Sequence, residues 1–420
     1  MYKISSLNNG IKVVTEKIDY VKSVSVGVWI GAGSAMETAE NSGVSHYIEH
    51  MLFKGTTNRT AKDIAEQMDR IGGHLNAVTS TEYTCFYAKT LTEHYETAFD
   101  ILSDMIINSS FAEESIATER KVITEEINMC DDTPEDYIHD VLSKLMWKES
   151  PLGFPIAGTA ESIKGIDRQV LLDYRDKLYF GNNIVISVVG FFDENEVLAK
   201  FEQKFGGIKQ DGGEKSIPGK LPVSRGINIV KRDIEQCHVC LGLEGFCRND
   251  SRHYDLQVMN AVFGGNMSSR LFQRVREELG LAYSIYSYSN TYQNNGSTVI
   301  YAGLNTEHLC DALSVIGEEI RALKSNKLTH DEVSVAKEQM KAAVIMGRES
   351  VSSRMRSYGR SMLYENRVYS MDDLIDLIDR ISRDSVADVI DTVFDMSKLN
   401  IAVTGRIEDG SKNIIDAIEF

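Results

Sequence analysis

The 420-residue sequence predicts an α+β fold built from two related halves, and three observations carry that prediction. The chain is too long for one ordinary hydrophobic core and long enough for two domains of about 200 residues. Short alternating strands, "CFYAKTL" (85–91), "IVISVVGFF" (184–192), "STVIYAGL" (297–304) and "NIAVTG" (400–405), are mixed with long amphipathic helices. They lack the regular strand–helix–strand alternation of a doubly wound sheet. Finally, the halves open alike. "KSVSVGVWIGAG" (22–33) leads to a helical stretch and then Phe53 and Gly55, and "EQCHVCLGLEGF" (235–246) leads to "YDLQVMNAVFGG" (254–265) with Phe263 and Gly265. An offset of about 210 residues between these landmarks is the mark of a duplication.

In chain order, residues 1–18 read as a hairpin turning at Asn8-Asn9-Gly10, since Asn-Gly supplies the positive φ that tight hairpins need. This stretch has neither the apolar core of a secretory signal nor the Arg-rich, acid-poor character of an organelle leader. Next, "TAKDIAEQMDRIGG" (60–73) reads as a helix with Thr60 as N-cap, Ile64, Met68 and Ile71 on one face, and Gly72 as its stop. The strand-like "GGHLNAVTSTEYTCFYA" (72–88) follows. The linker is "FGGIKQDGGEKSIPGKLPVSRG" (205–226), with six of the 31 glycines and two of the five prolines. It divides the chain into expected domains at 1–208 and 227–420, with 209–226 between them.

A net charge of −17 excludes a nucleic-acid footprint, which needs a basic face, and suits a basic peptide or another cationic partner. No run of about 18 apolar residues occurs, so no membrane span is expected, and the expected location is cytoplasmic. Six cysteines in 420 residues are too sparse for a disulfide scaffold. Cys237 and Cys240 form a CxxC, but in a strand residues three apart point to opposite faces, which argues against a joint site.

The chemistry concentrates in "NSGVSHYIEHMLFKGT" (41–56), where His46, Glu49 and His50 fall within five positions. On a helix with Val44 at zero, Ile48, Met51 and Leu52 lie within roughly 80° of it as a core stripe, while Glu49, His46 and His50 fall at roughly 140°, 200° and 240°. Such a far side is ordinarily solvated. Two histidines at i and i+4, however, can reach one ion about 2 Å from each ring nitrogen. Composition alone predicts only about 0.03 such His/acid/His patterns in a chain like this. The order His-x-x-Glu-His inverts the zinc-peptidase motif His-Glu-x-x-His. A catalytic zinc with two histidines needs a third protein ligand and one open position. The candidate donor segment is "ERKVITEEINM" (119–129). With Ile116 at zero, Ile123 and Ile127 define its buried face within roughly 20°, and Glu125 points away from it. Glu119 and Glu126 share a flank. Glu126 is the expected ligand, and Glu119 is expected to orient His50 or support the metal, the alternative being a solvated charge.

"HYIEHMLFKGT" with a glutamate 76 residues after the second histidine resembles the M16 metallopeptidases, the pitrilysin, insulin-degrading and mitochondrial processing peptidase family. "GGNMSSRLFQRVREELGLAYSIYS" (264–287) resembles the family's C-terminal motif, which makes Arg276 and Tyr283 the pair expected to approach the active site. The resemblance runs essentially end to end and fits the single-chain bacterial branch related to processing peptidase. It implies two α/β-roll domains of mixed sheet plus helices facing each other across a chamber, with one zinc ion per chain on the first. It further implies endopeptidase activity on extended peptides, with Glu49 as general base and Arg276 and Tyr283 on the oxyanion or substrate backbone. From the residues alone, Tyr283 would be a core aromatic beside Tyr286 and Tyr288. The strand edge at Asn76, Ala77, Val78 and Thr79 is expected to pair with substrate. A homodimer is implied, or a heterodimer with a metal-free homologue. The competing expectation is a non-catalytic scaffold subunit, a type that ordinarily departs from the motif this chain keeps. "GAGSAM" (31–36) and "FGGNMSSR" (263–270) complete no nucleotide-binding motif, and Ser268 and Ser269 sit in no nucleophile elbow.

Overall fold

A computed structural model describes residues 2–407 and 411–418. Its mixed α/β architecture has two sheets. The first comprises β1 (Tyr2–Ser6), β2 (Lys12–Lys17), β3 (Ser23–Ile30), β4 (His74–Thr79), β5 (Thr84–Leu91) and β6 (Ile184–Gly190), in the order β1-β2-β6-β3-β5-β4. The second comprises β7 (Gly226–Lys231), β8 (Gln236–Glu244), β9 (Ala282–Thr291), β10 (Gly296–Asn305) and β11 (Asn400–Gly405), in the order β7-β11-β8-β10-β9. Without its N-terminal strand the first sheet has the topology of the second. β2 pairs parallel with β6 as β7 does with β11, and every other pairing is antiparallel.

The likeness reaches single residues. Gly190 and Gly405 end equivalent strands with φ of +142° and +153°, a region that disfavours any side chain. A Thr-Glu-His 3₁₀ turn follows β5 at Thr92–His94 and β10 at Thr306–His308. The expected N-terminal hairpin is present, with Ser6 paired to Lys12 and Gly10 at φ +87°.

The chain forms two compact units, and they are not its sequence halves. The first contains residues 1–128, 154–217 and 345–371, and the second contains 129–153, 218–344 and 372–420. The linker therefore holds a boundary, between Ile217 and Pro218, but each half also gives the other one helix. Five helices of the N-terminal half carry the argument below: α1 (Val44–Leu52), α2 (Ala61–Arg70), α3 (Tyr95–Asn108), α4 (Glu113–Asp132) and α5 (Pro134–Trp147). In the first unit the helix Val351–Glu365 packs on β3 and β6, where Met355, Tyr358 and Met362 join Trp29, Val185 and Val189 in one core cluster. The close approach needs glycine, because a Cβ on Gly27 would lie 2.4 Å from Met355 Sδ and one on Gly359 2.0 Å from Trp29 Nε1. In the second unit α5 takes the matching place against β8 and β11, over Gly242, whose Cβ would lie 2.4 Å from Met146 Sδ.

The other face of the second sheet carries that unit's large core, including Val239, Leu241, Leu256, Met259, Ile316 and Val389. Cys237 belongs to this core. Cys240 lies on the α5 side, its Sγ 3.5 Å from His139 Nδ1. Both thiols are free and buried, and they lie on opposite faces, as strand alternation requires of residues three apart. Among the described residues no helix is long and apolar enough to cross a membrane.

Candidate metal centre

Helix α1 starts without a capping side chain at its own N-cap, Gly43, which has φ +92°. A Cβ there would lie 2.6 Å from Ala157 O and 2.7 Å from Ile163 Cδ1. The cap comes from upstream. Buried Glu37 accepts hydrogen bonds from Gly43 N at 2.7 Å and Ser45 N at 2.9 Å, two of the amides that a helix start leaves free. Burial pushes the Glu37 carboxyl up to about 7, against the pull of these donors.

The core stripe Val44, Ile48, Met51 and Leu52 is buried as the phasing predicts. The opposite side is not the solvated surface that phasing alone describes. Ser45 Oγ lies 2.8 Å from Tyr174 Oη, Tyr47 donates its hydroxyl to Ile116 O, and Ser45, His46 and Tyr47 are all buried. The helix runs between the sheet and two other helices, so only Glu49 and His50 of its residues remain partly open.

Helix α4 supplies the other side. Ile116, Glu119, Ile123 and Ile127 form its buried face, and Glu125 is exposed. Glu126 Oε2 lies 3.7 Å from His46 Nε2 and 3.6 Å from His50 Nε2. Among the described residues His46, His50 and Glu126 are the one group able to hold a metal ion, their ligand atoms all within 4.8 Å of one another. Ligands about 2.0–2.1 Å from a tetrahedral zinc stand roughly 3.3 Å apart, so Glu126 Oε2 needs to close on each imidazole by only a few tenths of an ångström. His46 Nδ1 is buried without a hydrogen-bond partner among the described residues, so the ring's polar contacts lie on the Nε2 side, where the other two donors converge. Burial, and then the neighbouring His50, hold the His46 imidazole down at about 4. It is therefore neutral at physiological pH, the form in which it binds metal. The donor set fits zinc.

Glu119, on the same flank as Glu126, is 3% exposed. Its Oε2 lies 3.1 Å from His50 Nδ1 and its Oε1 2.7 Å from Lys54 Nζ. Glu49 points to β4, where the Thr79 hydroxyl donates to its Oε2. Burial raises the Glu49 pKa, and that hydrogen bond partly opposes the rise. β4 is the outermost strand of its sheet, so Asn76, Ala77, Val78 and Thr79 pair with β5 on one side only.

Arg276 and Tyr283 belong to the second unit. Arg276 sits on a π-helical stretch, Phe272–Glu278, a geometry common at functional sites. Its guanidinium lies 4.7 Å from the Phe272 ring centre and 5.6 Å from that of Tyr283. Tyr283 is 75% exposed, so it is not the core aromatic that its neighbours suggested. Phasing and spacing found neither Glu37 nor Lys54. The signal for Lys54 was its position four after His50; for Glu37 there was no local pattern.

Comparison with known proteins decides the family. Residues 12–160 match the family model for insulinase (peptidase family M16), and residues 165–340 match that for the peptidase M16 inactive domain. The chain belongs to the M16 peptidase family. It is 40% identical over 387 residues to the uncharacterized zinc protease YmxG of Bacillus subtilis, covering 92% of this chain and 94% of that one. An uncharacterized zinc protease of Rickettsia felis is 38% identical over 399 residues, with 94% and 95% covered. The fold matches a crystal structure described as a peptidase M16 inactive domain from Pseudomonas fluorescens, with a TM-score of 0.90 at 19% identity over 97% of this chain and 98% of that one. The mixed two-sheet architecture is thus the family's, and the His-His-Glu group is the candidate zinc site of an M16 chain.

Proposed function

We propose that this M16 chain is a zinc endopeptidase that cleaves extended peptides or unfolded segments, with His46, His50 and Glu126 holding one zinc ion and Glu49 acting as general base. The observation that carries the reading is the convergence of three donor atoms from α1 and α4 beside a carboxylate that is not needed as a ligand.

Bound zinc supplies Lewis acidity, lowering the pKa of a water ligand towards 7 and polarising the scissile carbonyl. The remaining work falls to the chain. Glu49 takes a proton from the attacking water and returns it to the leaving amine nitrogen. Its burial raises its pKa, and a group that must both accept and give a proton works best when its pKa approaches the operating pH. The Thr79 hydroxyl fixes the carboxylate from the strand side. Glu119 Oε2 accepts the Nδ1 proton of His50, which leaves the Nε2 lone pair free for the metal.

The open edge of β4 at Asn76, Ala77, Val78 and Thr79 suits β-augmentation, which grips a substrate backbone without reading its sequence. The sequence resemblance extends the proposal to Arg276 and Tyr283 as donors to the oxyanion or substrate backbone. It also extends it to an enclosed chamber and to a homodimer or a heterodimer with a metal-free homologue.

The test compares wild type with Glu49→Gln on a quenched library of peptides, with metal content assayed in both. Cleavage by the wild type, lost in a Glu49→Gln protein that keeps its zinc, supports the peptidase and its division of roles. Zinc in both with cleavage by neither moves the reading to a scaffold or to a missing partner subunit.

A further inference from the structure

We infer that Lys54 is a positioning residue of the metal centre: it holds the Glu119 carboxylate in place, and Glu119 in turn holds His50. The inference rests on the zinc reading and adds to it a residue that does not touch the metal.

The geometry is a bridge. Glu119 is 3% exposed, and each of its two oxygens is committed, Oε1 to Lys54 Nζ at 2.7 Å and Oε2 to His50 Nδ1 at 3.1 Å. A buried carboxylate needs an opposite charge and full hydrogen bonding. His50 cannot supply that charge while it serves as a neutral ligand. The adjacent Arg120 is occupied elsewhere, its guanidinium donating to the carbonyls of Ile166 and Ile163 at 2.7 and 3.4 Å. Lys54 is therefore the cation that makes buried Glu119 tenable. An ordinary surface ion pair leaves both partners in water, whereas here the Lys54 side chain is 37% exposed and its partner is enclosed.

The backbone fixes the bridge at both ends. Lys54 stands one helical turn after His50 and directly precedes Gly55, where φ of +111° turns the chain. Ser110 N donates to Gly55 O at 3.1 Å, Thr56 forms a bridge with Ser109, and Tyr47 donates to Ile116 O. These contacts tie the end of α1 to the start of α4, so the distance from Lys54 to Glu119 is set by the framework. Without the lysine, Glu119 Oε1 loses its partner, the carboxylate turns towards water, and Oε2 leaves His50 Nδ1. The imidazole then has no fixed tautomer and no fixed orientation.

The experiment titrates zinc into the full-length chain, freed of metal, against a chromophoric chelator at neutral pH. It uses wild type, Lys54→Met, Lys54→Arg, Glu119→Gln and the Lys54→Met/Glu119→Gln double variant, and records the apo melting temperature of each. Removing an outer partner of a metal ligand typically weakens metal binding about 10–100-fold. Lys54→Met and Glu119→Gln should each fall in that range. The double variant should be no worse than the weaker single variant by more than about threefold, because both remove one path. Lys54→Arg should recover most of the affinity. A merely structural ion pair would move the apo melting temperature and leave zinc affinity alone. Zinc binding by Lys54→Met within about twofold of wild type, while Glu119→Gln is weakened, overturns the inference. Fully additive losses in the double variant overturn it too. Should Lys54→Met melt early, Lys54→Gln gives the same reading. Failure of the wild type to bind zinc instead overturns the metal assignment itself.

Discussion

Replacing Glu37 by glutamine tests how the helix of the candidate metal site is anchored. The carboxylate is 3% exposed and accepts two backbone N–H groups at the start of α1, yet burial outweighs these bonds and raises its pKa from 4.5 to about 7. For an acid whose folded-state pKa lies above the unfolded one, stability is fully present below the unfolded value and is lost as pH rises through the folded value. The window here is pH 4.5 to 7. A rise of about 2.5 units is worth about 3 kcal/mol at 1.36 kcal/mol per unit. Glutamine does not ionise, so Glu37→Gln removes this dependence. It also keeps only one acceptor for two amides, a constant cost of about 1–3 kcal/mol.

The wild type's advantage over Glu37→Gln should thus be largest near pH 4.5 and shrink by about 3 kcal/mol by pH 8, reversing sign if the constant cost is the smaller quantity. Since two compact units can unfold separately, the assay follows denaturation through Trp29 of the first unit, with Trp147 of the second replaced by Phe in both proteins. A difference that stays constant within about 0.5 kcal/mol across the window refutes the reasoning.

Other outcomes follow from the same geometry. Glu126→Gln removes the donor that closes on both imidazoles, so zinc affinity should fall at least about 100-fold, read by chelator competition, and cleavage should fall with it. Thr79→Val deletes the hydrogen bond that holds the Glu49 pKa down. The acid limb of kcat/KM should therefore move to higher pH, with activity at pH 6 falling more than at pH 8 in a pH–rate profile. Gly359→Ala sets a methyl group 2.0 Å from Trp29 Nε1, and overpacking of this kind should cost about 1–3 kcal/mol in a denaturation curve.

The readable parts of this chain were those whose signal is local. The hairpin turn at Gly10, the N-cap at Thr60, and the phasing of Ile116, Ile123 and Ile127 each follow from neighbours within a few residues. The same phasing put Glu126 on the flank of α4 that lies beside the histidines in the structure. The parts that were not readable depend on partners distant in sequence. Phasing leaves Glu119 on a flank and does not say that Lys54 waits there. Glu37 caps a helix from six and eight residues upstream, outside the usual N-cap position. The exchange of helices between the halves leaves no trace in periodicity, because Gly359 and Trp29 meet across 330 residues of chain. The linker marked one change of unit and gave no sign of the others.

The duplication shows how differently the two halves use one helix. The positions offset from His46, Glu49 and His50 hold Leu256, Met259 and Asn260 on the helix His253–Phe263. Leu256 and Met259 belong to the main core of the second unit, and Asn260 exchanges hydrogen bonds with Ser287, its Nδ2 3.1 Å from the carbonyl and its Oδ1 2.7 Å from the hydroxyl. The second helix thus uses for packing the side that α1 keeps for donors. Grafting the three polar residues onto it would bury a carboxylate among apolar side chains, a large penalty without a paired charge. In the first unit the Glu49 carboxylate stays partly open and accepts from the Thr79 hydroxyl, while α4 sets Glu126 beside both imidazoles and Glu119 against His50. The motif His-x-x-Glu-His is therefore only half of the candidate metal site, and the carboxylate flank of α4 is the other half.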